Sequence, residues 1–386
     1  MKKVLFITGL VAGMILAVAI IRSLSLNSQP NYPQPKLIAS IPAFVSSLSI
    51  EWTPDGQKLA IGQKSGDVTI WNVSGDNSTR SITTLKNDTT STTTVAWNQD
   101  GSVLAAGHYD GIVEVWDTAT DQLMRSIEGS SQWISGLILS PSGDKIASSS
   151  VQGTVIWDTT TGSQIFSLKD SLIHPVWSPD GDWIISAGFL DPSIHVWEAK
   201  SGKVLSNFNS LSSWDRELSP DGKRLALGSA IVDLPTGLPI SRCQDCGIVN
   251  AVAWNSNGTK LAIGGGEVMC FEGSVYCQRD YGIRIIASIQ ASNLTPNLLG
   301  KHEYSVVALA WHPDGTKLVS ASWDDTVRIW DVQTGQLLNT FFGGKINGVS
   351  KIALRPDGSM IAMIDDDQHE IHIWDLSAIN WISSER

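Results

Sequence analysis

A tight turn of the Pro-Asp-Gly type recurs eight times, and no other feature restricts the possible folds as much. The copies are Pro54-Asp55-Gly56, Gln99-Asp100-Gly101, Pro141-Ser142-Gly143, Pro179-Asp180-Gly181, Pro220-Asp221-Gly222, Ser256-Asn257-Gly258, Pro313-Asp314-Gly315 and Pro356-Asp357-Gly358. Pro presets φ in such a turn, Asp bonds the turn backbone, and Gly takes the φ > 0 that strains other residues. Successive glycines stand 36 to 57 residues apart. A large residue lies four before each one: Trp52, Trp97, Leu139, Trp177, Leu218, Trp254, Trp311 and Leu354. A second mark, a Trp followed by a polar residue, occurs at Trp71-Asn72, Trp116-Asp117, Trp157-Asp158, Trp197-Glu198, Trp330-Asp331 and Trp374-Asp375.

The clearest copy runs from Trp311 to Asp331 (WHPDGTKLVSASWDDTVRIWD). It reads as turn, strand over 318–322, turn at 323–325 and strand over 327–330. Val327 and Ile329 point one way, and Thr326, Arg328 and Trp330 the other. A further turn at Gln333-Thr334-Gly335 precedes a strand over 337–341. Such a run of hairpins cannot bury its apolar surface alone, so the copies must pack on one another.

A period of ~40–45 residues, four short strands and a Trp-Asp ending are the marks of propeller blades. The sequence resembles the WD40-repeat family over residues 37–386. The resemblance implies an all-β fold, a closed β-propeller. Eight turns give eight blades; seven is the alternative, if the weak fifth and sixth units merge. Residues 37–41 (Leu37-Ile38-Ala39-Ser40-Ile41) look like a fourth strand with no first three, and the last unit lacks a clear fourth strand. These residues are expected to complete the last blade and close the ring, as is common in the family. Closure removes free sheet edges.

Two units depart from the pattern. The fifth has Ile231-Val232-Asp233-Leu234 in place of a Trp-Asp strand. The sixth has Ile286-Ala287 and an insertion over 265–279. The seventh keeps the family's internal polar network, which the resemblance places at His302, Ser322, Asp324 and Trp330, as structural residues without chemistry. The resemblance also implies partner docking on the face that carries the blade-to-blade and second-to-third-strand loops. The aromatic candidates there are Tyr109, Trp133, Phe189, Trp214, Tyr304 and Trp323. Trp and Tyr are favoured in binding hot spots. Trp133 and Trp214 read equally as first-strand core residues.

Lys2-Lys3 precede an uncharged, mostly apolar run from Val4 to Ile21. Its length approaches that of a bilayer-spanning helix, and the flanking lysines fit the positive-inside rule. Residues 1–22 are therefore expected to be a transmembrane anchor, with a cleaved signal peptide as the alternative. Residues 23–36, with Pro30, Pro33 and Pro35, read as a linker. Either reading puts the propeller outside the cytoplasm, tethered to the membrane or secreted. Of 27 basic residues four lie before residue 37, leaving 23 against 38 acidic ones, a net of −15. That disfavours nucleic acid as a partner.

The four cysteines are Cys243 and Cys246 in RCQDCG, and Cys270 and Cys277 in the insertion. Both connections fall on one face of a four-stranded meander. An oxidising compartment favours disulfides, either Cys243–Cys246 with Cys270–Cys277 or a cross-pairing. A four-thiolate zinc site and a redox-active C-x-x-C are the alternatives.

No G-x-S-x-G, H-E-x-x-H, G-x-G-x-x-G or phosphate loop is present. His195 and His372 read as tolerant strand positions. Asp365-Asp366-Asp367 with Glu370 reads as a solvated turn rather than a Ca²⁺ site. No catalytic residue, metal or cofactor is assigned. The expected function is a membrane-tethered, extracytoplasmic, non-catalytic scaffold for an unidentified protein partner. The alternative is an enzyme or ligand-binding propeller, quinoprotein- or lactonase-like, with a cation or cofactor in the central channel. The text WDTTTG and WDVQTG is loosely similar to quinoprotein repeats. A scaffold needs an exposed apolar patch on one face, an enzyme convergent polar groups at the axis.

Overall fold

In the computed structural model the described residues are 34–42, 49–73, 79–86, 90–168, 173–187, 193–209, 216–234, 236–243, 246, 248–266, 280–287, 289, 296–342, 349–365 and 370–379. Each recurring turn does what its residues dictate. All eight turn glycines, Gly56 to Gly358, have φ between +65° and +76°. The Gly56 amide donates to the Thr53 carbonyl at 2.8 Å, and Asp55 Oδ1 accepts the Gln57 amide at 2.9 Å. The Thr53 hydroxyl and that amide hold the Asp55 carboxyl below its usual range.

The strands between these turns form eight four-stranded antiparallel sheets. Blades 1 to 7 occupy residues 49–85, 92–128, 136–168, 173–209, 216–242, 249–301 and 306–342. Blade 8 joins Val349–Leu354, Met360–Asp365 and Glu370–Asp375 to the N-terminal strand Lys36–Pro42. Leu37 pairs with Trp374 and Ile41 with Ile371. The eight blades and the closing strand match the sequence-based expectation. Blades 5 and 6 remain separate sheets, because Ala230–Asp233 and Gly282–Ile286 serve as third strands despite lacking Trp-Asp.

The core is a ring of eight clusters, one at each boundary between blades. Ile50, Trp52, Leu59 and Ile61 of blade 1 meet Met360, Ile364, Ile371 and Ile373 of blade 8, and Ile41 of the closing strand joins them. Blades 7 and 8 share Val319, Val327, Ile329, Val349, Ile361 and Met363. Third strands are covered on both faces, since each blade has a neighbour on either side. The first strands line the axis.

The tryptophans form two kinds of latch. Four of the five described first-strand indoles bond across blade boundaries, while the buried Trp177 Nε1 has no partner. Trp52, Trp97, Trp254 and Trp311 Nε1 donate to the carbonyls of Ala353, Glu51, Glu217 and Ala253, at 3.0, 3.2, 3.0 and 2.8 Å. Third-strand indoles instead bond within their own blade. Trp157, Trp197 and Trp330 Nε1 donate to Ser148, Ser186 and Ser320 Oγ at 2.8, 2.7 and 2.8 Å. In blades 1, 2 and 8 the corresponding positions are Ile61, Ala106 and Met363. There the buried Trp71, Trp116 and Trp374 Nε1 have no hydrogen-bond partner. Ala106→Ser supplies one to Trp116. It is expected to stabilise the protein by about 1 kcal/mol, read as a higher urea midpoint; an unchanged or lower midpoint would show that the hydroxyl misses the indole.

Ser322 is a correction. The residue that joins the network is Ser320, two beyond Leu318, the cross-strand partner of Trp330. Ser322, two residues on, bonds the Tyr304 carbonyl at 3.0 Å instead.

Candidate interaction surface and central channel

Tyr109 and Trp323 occupy turns between second and third strands, and Trp133 and Tyr304 lie in blade-to-blade loops. A four-stranded meander puts both kinds of loop on one face. All four side chains are exposed, at 62%, 45%, 40% and 51% respectively. In contrast Trp52, Trp97, Trp254, Trp311 and Trp330 are buried. Trp133 is thus a surface residue and not a first-strand core residue, because the following Ile134 fills the core between blades 2 and 3. Phe189 and Trp214 lie outside the described residues.

The exposed aromatics form two groups. In blade 2 the Tyr109 amide donates to the Ser91 carbonyl at 2.9 Å, and the Ile134 amide to the His108 carbonyl at 3.0 Å. These bonds hold the Tyr109 and Trp133 loops together. At blade 7 the Trp323 amide donates to the Ser305 carbonyl at 3.0 Å. Tyr281, contributed by blade 6, has its ring 6.2 Å from that of Tyr304.

The polar network lies beneath the blade 7 group. Trp330 Nε1 donates to Ser320 Oγ, which lies 2.8 Å from His302 Nε2. His302 Nδ1 lies 2.8 Å from Asp324 Oδ2. The chain is consistent with a neutral imidazole carrying its proton on Nδ1, so that Ser320 donates to Nε2. Burial lowers the His302 pKa, which favours that neutral form. Asp324 Oδ2 also accepts the Glu303 amide at 2.9 Å, and Oδ1 the Thr326 hydroxyl at 2.5 Å. Burial opposes the Asp324 charge, but His302, Thr326 and the Glu303 amide outweigh it and hold the carboxyl far below its usual range. Three network members thus pin the loop from which Tyr304 projects.

A cavity of about 390 Å³ is lined by Arg216, Glu217, Asn250, Val252, Val307 and Leu309, all on first strands of blades 5 to 7. Two first-strand glutamates act as caps for the next blade. Glu217 Oε2 accepts the Trp254 amide at 2.6 Å, and Glu51 accepts that of Trp97. Burial pushes the Glu51 carboxyl up to about 7, against the opposing pull of Lys351. Lys351 keeps accessible surface, yet protein surrounds it closely enough to lower its own pKa. Because Glu51 binds its proton more tightly in the fold than in the unfolded chain, its stabilising share is full below about pH 4.5 and is lost as pH rises through about 7. Glu51→Gln cannot ionise. Its stability relative to wild type is expected to rise between pH 5 and pH 8 in urea titrations; a constant difference would mean that Glu51 titrates normally.

Among the described residues no group of three or more His, Cys, Asp and Glu is placed to hold a metal ion. Cys243 and Cys246 form a disulfide with Cα atoms 5.6 Å apart, buried in the core between blades 5 and 6. Cys270 and Cys277 lie outside the described residues. Asp365 is buried rather than solvated, 3.5 Å from His372 Nε2; Asp366 and Asp367 lie outside the described residues. His372 Nδ1 in turn lies 2.9 Å from Ser40 Oγ of the closing strand, and His195 stacks on Trp197. The apolar run of residues 4–21 is also outside the described residues, among which no helix is long and apolar enough to cross a membrane.

The architecture is that of a repeat β-propeller with exposed aromatic rings on one loop face. The model of the WD domain, G-beta repeat family matches residues 79–117, 121–158, 159–198 and 295–331. Each matched stretch begins near an outer strand and ends on the third strand of the next blade, the same stagger that leaves an outer strand for the N-terminus to supply. The chain is similar to Actin-interacting protein 1 of Drosophila melanogaster, 27% identical over 53% of this chain and 34% of that protein. It is similar to THO complex subunit 3 of Arabidopsis thaliana, 24% identical over 62% of this chain and 76% of that protein. The chain spans about a third of the length of the first of these relatives. The C-terminal WD40 domain of Sif2 superposes with a TM-score of 0.73 over 90% of this chain and 99% of that one, at 17% identity. This chain carries repeats of the WD40 type within an eight-bladed propeller.

Proposed function

We propose that the chain is a non-catalytic protein-interaction scaffold. The observation that carries the proposal is the set of exposed Tyr and Trp side chains on one loop face, where the other described indoles are buried or half-buried. Rigid aromatic side chains lose little conformational entropy on binding, and rigid loops lose less still. The names of two relatives, an actin-interacting protein and a subunit of the THO complex, describe proteins that bind or assemble with other proteins.

The propeller works outside the cytoplasm, held to the membrane by residues 1–22. The uncharged run of residues 4–21 behind Lys2-Lys3 supports this tether. The Cys243–Cys246 disulfide fits an oxidising compartment. A photo-cross-linking residue placed at Tyr109, Tyr304 or Trp323 tests the scaffold. It is expected to capture one protein from intact cells, whereas the same residue at Gln57, in a turn on the opposite face, does not. Equal capture from both faces, or none, would remove the proposal.

A further inference from the structure

Tyr304 and Trp323 are fixed side by side by bonds that leave their rings outside. Ser322 Oγ donates to the Tyr304 carbonyl and the Trp323 amide to the Ser305 carbonyl, both at 3.0 Å. The Glu303 amide is tied to Asp324. Asp325 holds the turn at φ +65°, the left-handed conformation that few non-glycine residues adopt. Tyr281 adds a third ring, tilted 35° against Tyr304.

Acids surround this group. Glu303 precedes Tyr304, Asp325 follows Trp323 by two, Asp324 lies beneath, and Asp280 precedes Tyr281. Among the described residues three cations are close in sequence; Arg279, two before Tyr281, lies outside them. Arg284 bonds Asp280 at 2.6 Å, and Arg328 bonds the Lys301 carbonyl at 2.5 Å and Asp324 at 3.4 Å. Those two guanidinium groups are held inside the propeller's own contacts, while Lys301 is exposed. The pattern repeats in blade 2, where Asp110 follows the exposed Tyr109. Over the whole propeller the balance is 23 basic to 38 acidic residues.

Exposed indole and phenol faces attract cations through the ring quadrupole, and carboxylates beside them strengthen that preference. An acidic partner segment would meet repulsion here. We infer that the rim formed by Tyr281, Tyr304 and Trp323 docks an extended, basic segment of the partner protein, with an Arg or Lys head over a ring and flanking cations toward Glu303 and Asp325. The inference rests on the scaffold reading and specifies the chemistry of its partner.

The test uses full-length protein in detergent and fluorescence anisotropy with a labelled Arg-Gly-Ser repeat peptide. Citrulline-Gly-Ser and Leu-Gly-Ser versions serve as neutral and apolar probes. The Tyr304→Leu/Trp323→Leu variant removes the rings without changing any charge. It is expected to bind the Arg peptide at least about tenfold more weakly, the scale of one or two cation–π contacts. The citrulline peptide is expected to lose a similar amount on wild type. If the double variant does not fold, Trp323→Leu alone replaces it. Equal binding of the Arg peptide by wild type and variant would reduce the interaction to general charge attraction and overturn the inference. Tighter binding of the Leu peptide, or no binding of any, would overturn it too. If cross-linking at Trp323 still captures a partner in that case, the scaffold reading stands and only the cationic chemistry falls; if it captures none, both fall.

Discussion

A chain that begins at Ser46 is expected to melt on the order of 10 °C below one that begins at Pro35, because it lacks the closing strand. Six residue pairs join Lys36–Pro42 to Glu370–Asp375. Ile41 is buried among Ile50, Met360, Ile371 and Ile373, and Ile38 and Ala39 pack against the same cluster. Burying one Ile contributes about 1.5–3 kcal/mol, and each net hydrogen bond about 1 kcal/mol. Loss of the strand also removes the Ser40 bond to the buried His372. It further leaves the Glu370–Asp375 strand as an open edge, which invites pairing between molecules. The shorter chain should therefore aggregate as well as melt early. Equal melting temperatures for the two chains would mean that the ring holds without its N-terminal strand.

Asp324→Ala is expected to destabilise the protein by about 3–5 kcal/mol, the range for removing one member of a buried, charge-assisted set. Its side chain is 2% exposed. The substitution strips the acceptor from His302, Thr326 and the Glu303 amide together. The effect depends on pH. The folded-state pKa of Asp324 is depressed, so its stabilisation is complete above the ordinary carboxylate range and is lost as pH falls through the folded value. The gap between wild type and variant in urea midpoint should be full at pH 7 and shrink in strong acid. Ser320→Ala, which breaks the relay between Trp330 and His302, should cost about 1–3 kcal/mol. A wild-type midpoint in Asp324→Ala would mean that blade 7 is held by its apolar contacts alone.

Much of the fold is legible in the sequence, because the turn chemistry is local. Pro-Asp-Gly and its relatives fix hairpins through backbone preference alone, and their recurrence supplies the blade count. The closing strand is legible because Leu37 to Ile41 have no partners of their own and the last unit lacks one. The choice between Ser320 and Ser322 is not. Both point to the same face of one strand, so alternation cannot separate them; only the pairing of Leu318 with Trp330 does. A comparison among blades carries the missing signal. Ser148 and Ser186 each lie two residues beyond the partner of the third-strand Trp, as Ser320 does. The capping role of Glu51 and Glu217 is hidden for another reason. It depends on the amide of a residue in the next blade, some 40 positions away, and no periodicity reports it. The exposed aromatics were legible as loop residues, but Trp133 could be placed outside the core only once Ile134 was seen to fill it.

Affinity purification of the full-length protein from detergent-solubilised membranes, with mass spectrometry and elemental analysis of the same sample, tests the scaffold reading against its rival. The expected result is one stoichiometric protein partner, absent when Tyr304 and Trp323 are both changed to Leu, and no metal. A bound metal ion or small molecule with no protein partner would contradict it and move the function to the central channel.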